Sequence, residues 1–417
     1  MKRYWRLIAI AVVIVLSIST FYVQSALSAG NNPEFIFKKV SGNPSELEPV
    51  VLFGNYQAVV NGAGESIRLT NEGAEYSSEL SLFERLKHMY SPEVSSLIDK
   101  YRGFMRGKGG SLSSYYEGEN AVAYANVSNQ FINGTTSELE FTVEVLNKKT
   151  DQVTEFIVPV PNRAMYHQIY VEDVQMINGQ LKIVTQNFLR NAGNQSSIAN
   201  QETHIYTFDI GKQKLIDGET VLSADDSDTD YYTHMNVVNA EDISGHEVIV
   251  FQKTQEGLKP GAEGKRDQTE RPEPEVELIA YDLKKDEKME IKIPEEHQSK
   301  VPMASNGSLL YLMERSESQG EIAVYDMEKE RVKNTFTIPT PSLQENAPLD
   351  IQSIVRIQDG KVYVFTSQYG KALTKGSSSF HVIEGSSGKT LYHGYIKSKK
   401  PLNEDAFLHM YSMDLKK

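Results

Sequence analysis

The sequence predicts an all-β fold built from repeated four-stranded units, and two recurring patterns carry that prediction. In the first, an Asn-Gly or Asp-Gly turn precedes a run of β-branched and aromatic residues, as from Asp359 to Phe365. In the second, a strand ends in an acid or Asn and a polar turn leads into another strand, as from Ala280 to Asp286. Asn-Gly and Asp-Gly supply the positive φ angles of tight hairpins, and the residues that follow favour a pleated strand.

The two patterns alternate along the chain. Glycine-containing turns begin near Asn178, Gly245, Asn306 and Asp359, and the acid or Asn anchors are Asn147, Asp209, Asp282, Asp326 and Glu384. The shortest spacing, the 44 residues between Asp282 and Asp326, is close to the size of one four-stranded propeller blade. Because these segments lack a helical apolar period, the repeats predict a β-propeller of about six blades, with seven as the alternative. A pair of β-sandwiches is the competing architecture.

The N-terminal 30 residues form an export signal or an anchor. Met1 to Arg6 is cationic, and Leu7 to Val23 are 17 residues without a charge, at the lower limit of a membrane span. Ala26-Leu27-Ser28 has the small residues that a signal peptidase reads. Residues 1–30 are therefore predicted as a signal peptide or membrane anchor, with anchoring preferred. The positive flank places residues 31–417, the predicted propeller domain, outside the cytoplasm.

More β-rich segments lie on either side of the repeats. Before the repeats they begin at Phe35, Val50, Ala58 and Ser66, and after them one runs from Ala406 to Met413. A closed ring of blades needs its first and last strands in one sheet, since an open ring leaves unpaired edges. We therefore expect the two ends of the domain to share a blade.

Residues 80–110 are the one helical passage and predict a helical hairpin inserted in the β fold. Leu82 to Tyr90 carries an apolar stripe, and Ser91-Pro92-Glu93 starts a second helix whose apolar residues continue to Met105. The passage is basic in an acidic chain. Its candidate residues for docking a partner protein or the nearby membrane are Arg85, Lys87, Lys100, Arg102 and Arg106. The alternative is a helical pair that packs on the β domain with an ordinary solvated face. A second insertion, residues 255–275, is rich in Pro, Gly and charge and is predicted as an exposed loop.

The repeat around Val382 to Tyr392, with Glu384, Gly388 and Lys389, resembles the quinoprotein-like (PQQ-like) propeller repeat and the broader WD40-like group. The resemblance implies a propeller and leaves function open, because that fold serves many functions. It does not extend to quinone binding. The only Trp, Trp5, lies before the apolar segment, so no repeat has the indole typical of quinone-dependent dehydrogenases.

Composition excludes several function classes. With no cysteine, the chain has no disulfide, thiol nucleophile or Cys-ligated metal. Leaving out Lys2, Arg3 and Arg6, residues 31–417 carry 40 Lys and Arg against 56 Asp and Glu, a net charge of −16, which disfavours nucleic acid as a partner. The nine histidines show no metal-ligand spacing, and no linear catalytic motif is present. No catalytic, cofactor-binding or metal-binding residue is therefore predicted, and no cofactor.

These observations predict a non-catalytic binding or regulatory module, outside the cytoplasm and membrane-tethered or secreted. Its partner would be an envelope protein or a membrane sensor. The alternative is a propeller hydrolase or lyase that acts on cell-wall or extracellular carbohydrate, with a site assembled from loops far apart in sequence. Convergent His, Arg and carboxylate side chains would favour the enzyme.

Overall fold

The structure is a computed structural model that describes residues 5, 9–10, 12–17, 19–20, 32–58, 64–81, 84–85, 90–132, 135–190, 201–224, 231–238, 243–257, 275–315, 319–339, 351–368, 377–403 and 406–416. These residues fall into two compact units. One comprises residues 1–96, 313–322 and 334–417, and the other comprises residues 97–312 and 323–333. The prediction that residues 31–417 form one propeller domain stays a prediction.

The described strands form six antiparallel sheets, five with four strands and one with five. In spatial order, one sheet of the first unit consists of β25 (Phe407–Leu415), β2 (Val50–Gln57), β3 (Glu65–Thr70) and β4 (Gly73–Tyr76). A second sheet of this unit consists of β1 (Phe35–Gly42), β24 (Thr390–Ser398), β23 (Ser378–Glu384), β22 (Lys361–Gln368) and β21 (Ile351–Gln358). In the second unit, one sheet consists of β5 (Tyr115–Glu117), β6 (Ala121–Ile132), β7 (Thr135–Asn147) and β8 (Val153–Pro159). The next consists of β12 (Lys214–Ala224), β11 (Gln201–Asp209), β10 (Gln180–Leu189) and β9 (Tyr166–Ile177). A further sheet consists of β13 (Tyr231–Val238), β14 (Val248–Gly257), β15 (Glu275–Asp282) and β16 (Glu287–Glu290). The sheet of β17 (Val301–Asn306), β18 (Leu309–Arg315), β19 (Gln319–Asp326) and β20 (Arg331–Pro339) contributes residues to both units.

The all-β prediction is confirmed, and the sheets have the size predicted for blades. Most of the predicted turns lie between consecutive strands: Asn178-Gly179 joins β9 to β10, and Asp359-Gly360 joins β21 to β22. Both residues of these turns have positive φ, which Asn, Asp and Gly tolerate best. The exception is Gly245, where β14 begins only at Val248 and the preceding residues form an irregular segment.

Strands from the two ends of the β region share sheets, as predicted, although the first strand, β1, and the last, β25, lie in different sheets. β25 pairs antiparallel with β2, from Phe407 opposite Gln57 to Leu415 opposite Val50. β1 pairs with β24 in the same way. Both ends of the β region are therefore hydrogen-bonded inside the first unit.

Each unit has a core of alternating inward-facing side chains. In the first unit, Phe35, Leu52, Phe380 and Met413 belong to one fully buried cluster. In the second unit, three clusters follow the sheets in chain order, with Phe141, Phe251 and Tyr325 as representative members. The buried positions alternate with exposed ones along the outer strands, so the sheets are held by side-chain packing on their faces.

The helical passage differs from the prediction in one respect. The second predicted helix is divided at Tyr101 into α1 (Pro92–Lys100) and α2 (Arg102–Met105), because Tyr101 has φ −128° and ψ 47°. Of the first predicted helix the structure describes Glu84 and Arg85, which are helical, and Tyr90, which is not; residues 82–83 and 86–89 lie outside the described residues. Residues 258–274 of the predicted loop insertion also lie outside them.

The export or anchor segment is described in part. Residues 12–17 are helical, and their apolar side chains from Val12 to Leu16 are exposed. None of the helices in the described parts of the chain combines the length and apolar character needed to cross a membrane. The tether stays a prediction.

Candidate functional site

The predicted docking residues differ in whether their side chains form hydrogen bonds or ion pairs within the described part of the protein. Arg85, in the first unit, donates from Nε to the carbonyl oxygen of Leu80 and from Nη2 to that of Ser78, each at 3.2 Å. Lys87 lies outside the described residues. Lys100, in the second unit, is paired with Glu117 at 3.8 Å. Arg102 and Arg106 are exposed, and no ion pair or hydrogen bond of their side chains occurs within the described chain.

Ion pairs fasten the helical passage to the sheet of β5 to β8. Lys108, whose side chain is only 5% exposed, donates to Glu144 Oε2 at 2.6 Å, and its Nζ lies 4.2 Å from the centre of the Phe104 ring. Glu117 accepts hydrogen bonds from Lys148 at 3.0 Å and Tyr101 at 3.2 Å. Two basic residues of this segment, Lys100 and Lys108, are therefore ion-paired inside the second unit.

The lowered pKa of Glu117 indicates that its carboxyl is ionised within this network of ion pairs. Burial alone would raise the pKa of that carboxyl, but the hydrogen bond and charge of Lys148, with the charge of Lys100, hold it below its usual value. Glu117 is thus an anion at neutral pH, and it holds two cations and a tyrosine hydroxyl. This arrangement orients α1 and α2 and leaves Arg102 and Arg106 pointing to solvent.

A polar cavity of about 430 Å³ lies elsewhere in the second unit, between β9, β13 and the turn from β17 to β18. Asp173 on β9 is 2% exposed and accepts from Gln175 Nε2 at 3.1 Å, while its other oxygen lies 3.0 Å from His246 Nε2. The backbone N–H of His246 donates to Gln175 Oε1 at 3.0 Å. These contacts of His246 with Asp173 and Gln175 hold the irregular segment before β14 against β9.

A β-bulge places a second carboxyl beside this network. Val184 pairs with Asp173 and Thr185 with Val171, so Glu172 is the extra residue of the bulge. Burial, and then the charge of Asp173, raises the pKa of Glu172. Two adjacent carboxyls with different environments and a histidine are a combination that acid–base catalysis uses.

Two more histidine clusters lie on strands. In the second unit, His204 contacts Glu202 and Thr220 beside a smaller cavity. In the first unit, the rings of His381 and His393 stack at 4.3 Å, and burial followed by the charge of His393 lowers the pKa of His381 to about 4. Within the described residues, no group of three or more His, Asp or Glu side chains has a metal-binding arrangement.

The sequence analysis missed these clusters because their members come from different strands. Asp173 and His246 are 73 residues apart, and Thr220 meets His204 across two strands. The available signal was weak: Glu202, His204 and Tyr206 alternate, as do Asp173 and Gln175, which puts each set on one face of a strand. Polar residues at such alternate positions are unusual for a face that is buried.

Comparisons with known proteins report likeness only to solved structures. No protein-family model matches the chain and no curated protein matches it, so the quinoprotein-like resemblance stays a prediction. The solved structures include the polysaccharide lyase Uly1, at 10% identity and TM-score 0.36, covering 65% of this chain and 57% of the lyase chain. AztD from Citrobacter koseri has 11% identity and TM-score 0.31, with 86% and 97% covered. The β-propeller domain of the Trilobed protease from Pyrococcus furiosus has 13% identity and TM-score 0.24, with 69% and 83% covered.

This chain thus spans little more than half of the length of the lyase. At TM-scores below 0.5 these likenesses carry no argument about the chain.

Proposed function

We propose that the chain is an extracytoplasmic, membrane-tethered β-propeller that serves as a non-catalytic binding or regulatory module. In this proposal the six sheets are the blades of one ring, residues 1–30 hold it at the membrane, and the partner is an envelope protein or a membrane sensor. The observation that carries the proposal is the pair Arg102 and Arg106, which are exposed and have no ion pair or hydrogen bond of their side chains to the described residues. They lie at the start and just past the end of α2, which buries Phe104 and Met105.

The charge distribution favours a protein partner over a lipid surface. Residues 31–417 carry a net charge of −16, so an anionic membrane would repel most of the molecule. Two arginines on one short segment can instead form bidentate bonds to carboxylates on a partner, since guanidinium geometry matches them. The ion pairs of Lys100 with Glu117 and of Lys108 with Glu144 hold the segment against the sheet of β5 to β8.

Charge reversal at these two positions tests the proposal. We expect Arg102→Glu with Arg106→Glu to weaken capture of the partner from membranes under mild crosslinking, with a change in unfolding free energy of only about 0.5 kcal/mol. The matched control is Lys397→Glu with Lys400→Glu, two exposed basic residues in the first unit. Equal capture by both double variants would contradict the docking surface. Unfolding of the arginine variant alone would show that the two arginines are structural.

A carbohydrate hydrolase or lyase is the second candidate, and Glu172 is the observation that favours it. A carboxyl whose pKa is raised by burial and by the neighbouring Asp173 is suited to donate a proton to a leaving oxygen. Asp173, the next residue in the chain, lines the polar cavity together with His246. In this candidate Glu172 is the general acid. His246, whose ring contacts Asp173, acts as the base or stabilises the charge that develops on the substrate.

Incubation with solubilised cell-wall and extracellular polysaccharides tests the enzyme. New reducing ends or unsaturated products should appear with the wild type and fall at least about 100-fold with Glu172→Gln, the usual size of one acid–base contribution. The control is Glu295→Gln, on an exposed 3-10 helix outside the cavity. Wild-type protein that releases no product from any polymer would exclude this candidate and leave the binding module.

A further inference from the structure

The second unit contains a smaller cavity that neither proposed function uses. It has a volume of about 350 Å³, and its wall includes Asn162, Tyr166, His204, Tyr206, Asp217 and Thr220. His204 lies on β11 and Thr220 on β12, where the two residues are cross-strand partners. Val221 is bulged next to this pair, because Thr203 pairs with Leu222 and His204 with Thr220.

Two residues that line this cavity, Thr220 and His204, form a relay from a hydroxyl through an imidazole to the carboxylate of Glu202. His204 Nε2 lies 2.8 Å from Glu202 Oε2, and His204 Nδ1 lies 3.4 Å from Thr220 Oγ1. Tyr166 donates to the same Glu202 oxygen at 3.1 Å. Contacts between a hydroxyl and its base are often long before substrate binds and shorten in the reacting complex.

The relay fixes which ring nitrogen of His204 carries the proton. An ionised carboxylate only accepts hydrogen bonds, so Nε2 must be the protonated nitrogen that faces Glu202. In the neutral ring, Nδ1 is then a bare acceptor that faces the hydroxyl of Thr220. The Tyr206 ring stacks parallel to the imidazole at 5.5 Å and limits its rotation.

His204 is neutral under ordinary conditions. Burial lowers its pKa from the usual value, and the hydrogen bond and charge of Glu202 oppose that effect without cancelling it. The other titratable groups around the ring are Tyr166 and Tyr206, whose pKa values burial raises, so both stay uncharged. Nδ1 is therefore available as a base at neutral pH.

We propose that this cavity is an acyl-transfer site for small carboxylic esters, with Thr220 as nucleophile, His204 as general base and Glu202 as positioning residue. Asn162 is exposed and lines the same cavity, and in this proposal its side-chain amide is the donor to the oxyanion. The arrangement follows the logic of hydroxyl, imidazole and carboxylate triads, which recur on unrelated folds and are recognised by geometry.

The proposed chemistry balances within the site. Thr220 Oγ1 forms a bond to the acyl carbon while its proton moves to His204 Nδ1. The carbon–oxygen bond to the leaving group then breaks, and the leaving oxygen takes the proton from Nδ1. In the second half, water attacks the acyl-threonine with Nδ1 again as the base, which releases the carboxylic acid and restores the hydroxyl.

The test uses the full chain with p-nitrophenyl acetate. We expect a burst of p-nitrophenolate and one acetyl group on the peptide that contains Thr220, detected by mass spectrometry after acid quenching. Thr220→Val, which keeps the shape and removes the hydroxyl, should abolish that label, and Thr220→Ser should retain it. His204→Gln should slow acylation by roughly 10²–10⁴-fold. The control is Ser223→Ala, an exposed hydroxyl on the same strand whose cross-strand partner is Glu202 instead of His204.

The Glu202→Gln variant distinguishes a role of Glu202 in positioning His204 for catalysis from a purely structural role. Glu202 raises the pKa of His204, so its removal should move the acid limb of the acylation profile to lower pH as well as slow the reaction. Acetylation that is scattered over lysines, or equal labelling of Thr220→Val and wild type, would overturn the proposal. The Arg102→Glu and Arg106→Glu variant should retain acyl transfer, so failure of this site and failure of the docking surface are told apart.

Discussion

The acid or Asn that anchors four of the five repeats has a structural task at the residue scale. Its side-chain oxygen accepts hydrogen bonds from backbone N–H groups two or three residues later, which closes the turn between the last two strands of a sheet. This occurs at Asn147, Asp209, Asp282 and Asp326. The residue four positions on adopts a positive φ in every case: Asp151, Gln213, Asp286 and Glu330. The lysine at the third position of the aspartate turns pairs with the anchor.

Replacing Asp282 tests this account. Asp282→Ala should lower the unfolding free energy by about 1 kcal/mol, the usual cost of a lost side-chain cap, and Asp282→Asn should cost less because Asn147 fills the same turn. Urea denaturation at pH 7 measures both. Burial raises the pKa of Asp282, but its bonds to Lys285 and the backbone bring it below the usual value. The advantage of Asp over Asn should therefore disappear as pH falls through that lowered pKa; an advantage unchanged by acid would contradict the charge contribution.

His381 predicts a loss of stability in mild acid. Its Nε2 lies 3.0 Å from the carbonyl oxygen of Pro339, and its buried Nδ1 has no partner among the described residues. The folded pKa of about 4 lies below the unfolded value of 6.5. The unfolded chain therefore binds a proton first, and stability falls from about pH 6.5 to about pH 4 by up to about 3 kcal/mol.

Unfolding midpoints across that pH range measure the effect. His381→Gln keeps a donor for Pro339 and removes the titration, so the slope should flatten. The exposed His234→Gln serves as control and should leave the slope as in the wild type. An unaltered slope in His381→Gln would show that other groups control the acid sensitivity.

At the scale of elements, β25 is the strand on which the first unit depends. It covers the edge of β2 and contributes Leu408, Met410, Met413 and Leu415 to the core. Met413→Ala should lower the unfolding free energy by about 2–5 kcal/mol, whereas Tyr411→Ala, on the same strand but 47% exposed, should change it by no more than about 0.5 kcal/mol. Deletion of residues 406–417 should leave one edge of β2 unpaired and give an aggregating product. A truncated protein with the wild-type midpoint would refute this role of β25.

At the scale of the whole molecule, the membrane tether is the open prediction. Trp5 is the only Trp and lies before every candidate cleavage point. Protein that retains the anchor should need detergent for extraction from the producing cell's membranes and should show indole emission. Protein cleaved near Ala26 to Ser28 should be soluble and lack that emission. A soluble, indole-free native product would contradict the tether and leave the extracytoplasmic location untouched.

The sequence by itself determined the strands and turns of this protein. Asn178-Gly179, Asp282 and their counterparts act through backbone angles and hydrogen bonds within a few residues, so their consequences can be deduced from neighbours in the chain. The pairing between the two ends of the β region also followed, because an unpaired edge is costly wherever it lies. These local rules account for the all-β architecture.

Only the tertiary structure decided which side chains meet. The basic residues of the helical passage look alike in the sequence, yet Lys100 and Lys108 are paired with Glu117 and Glu144 while Arg102 and Arg106 are exposed. The Thr220, His204 and Glu202 relay depends on strand register and on one bulged residue, Val221. A shift of one residue turns a side chain to the opposite face of a sheet. Local sequence specifies strands and turns well, whereas the contacts that give histidines and arginines their chemistry depend on registers that packing between distant segments fixes.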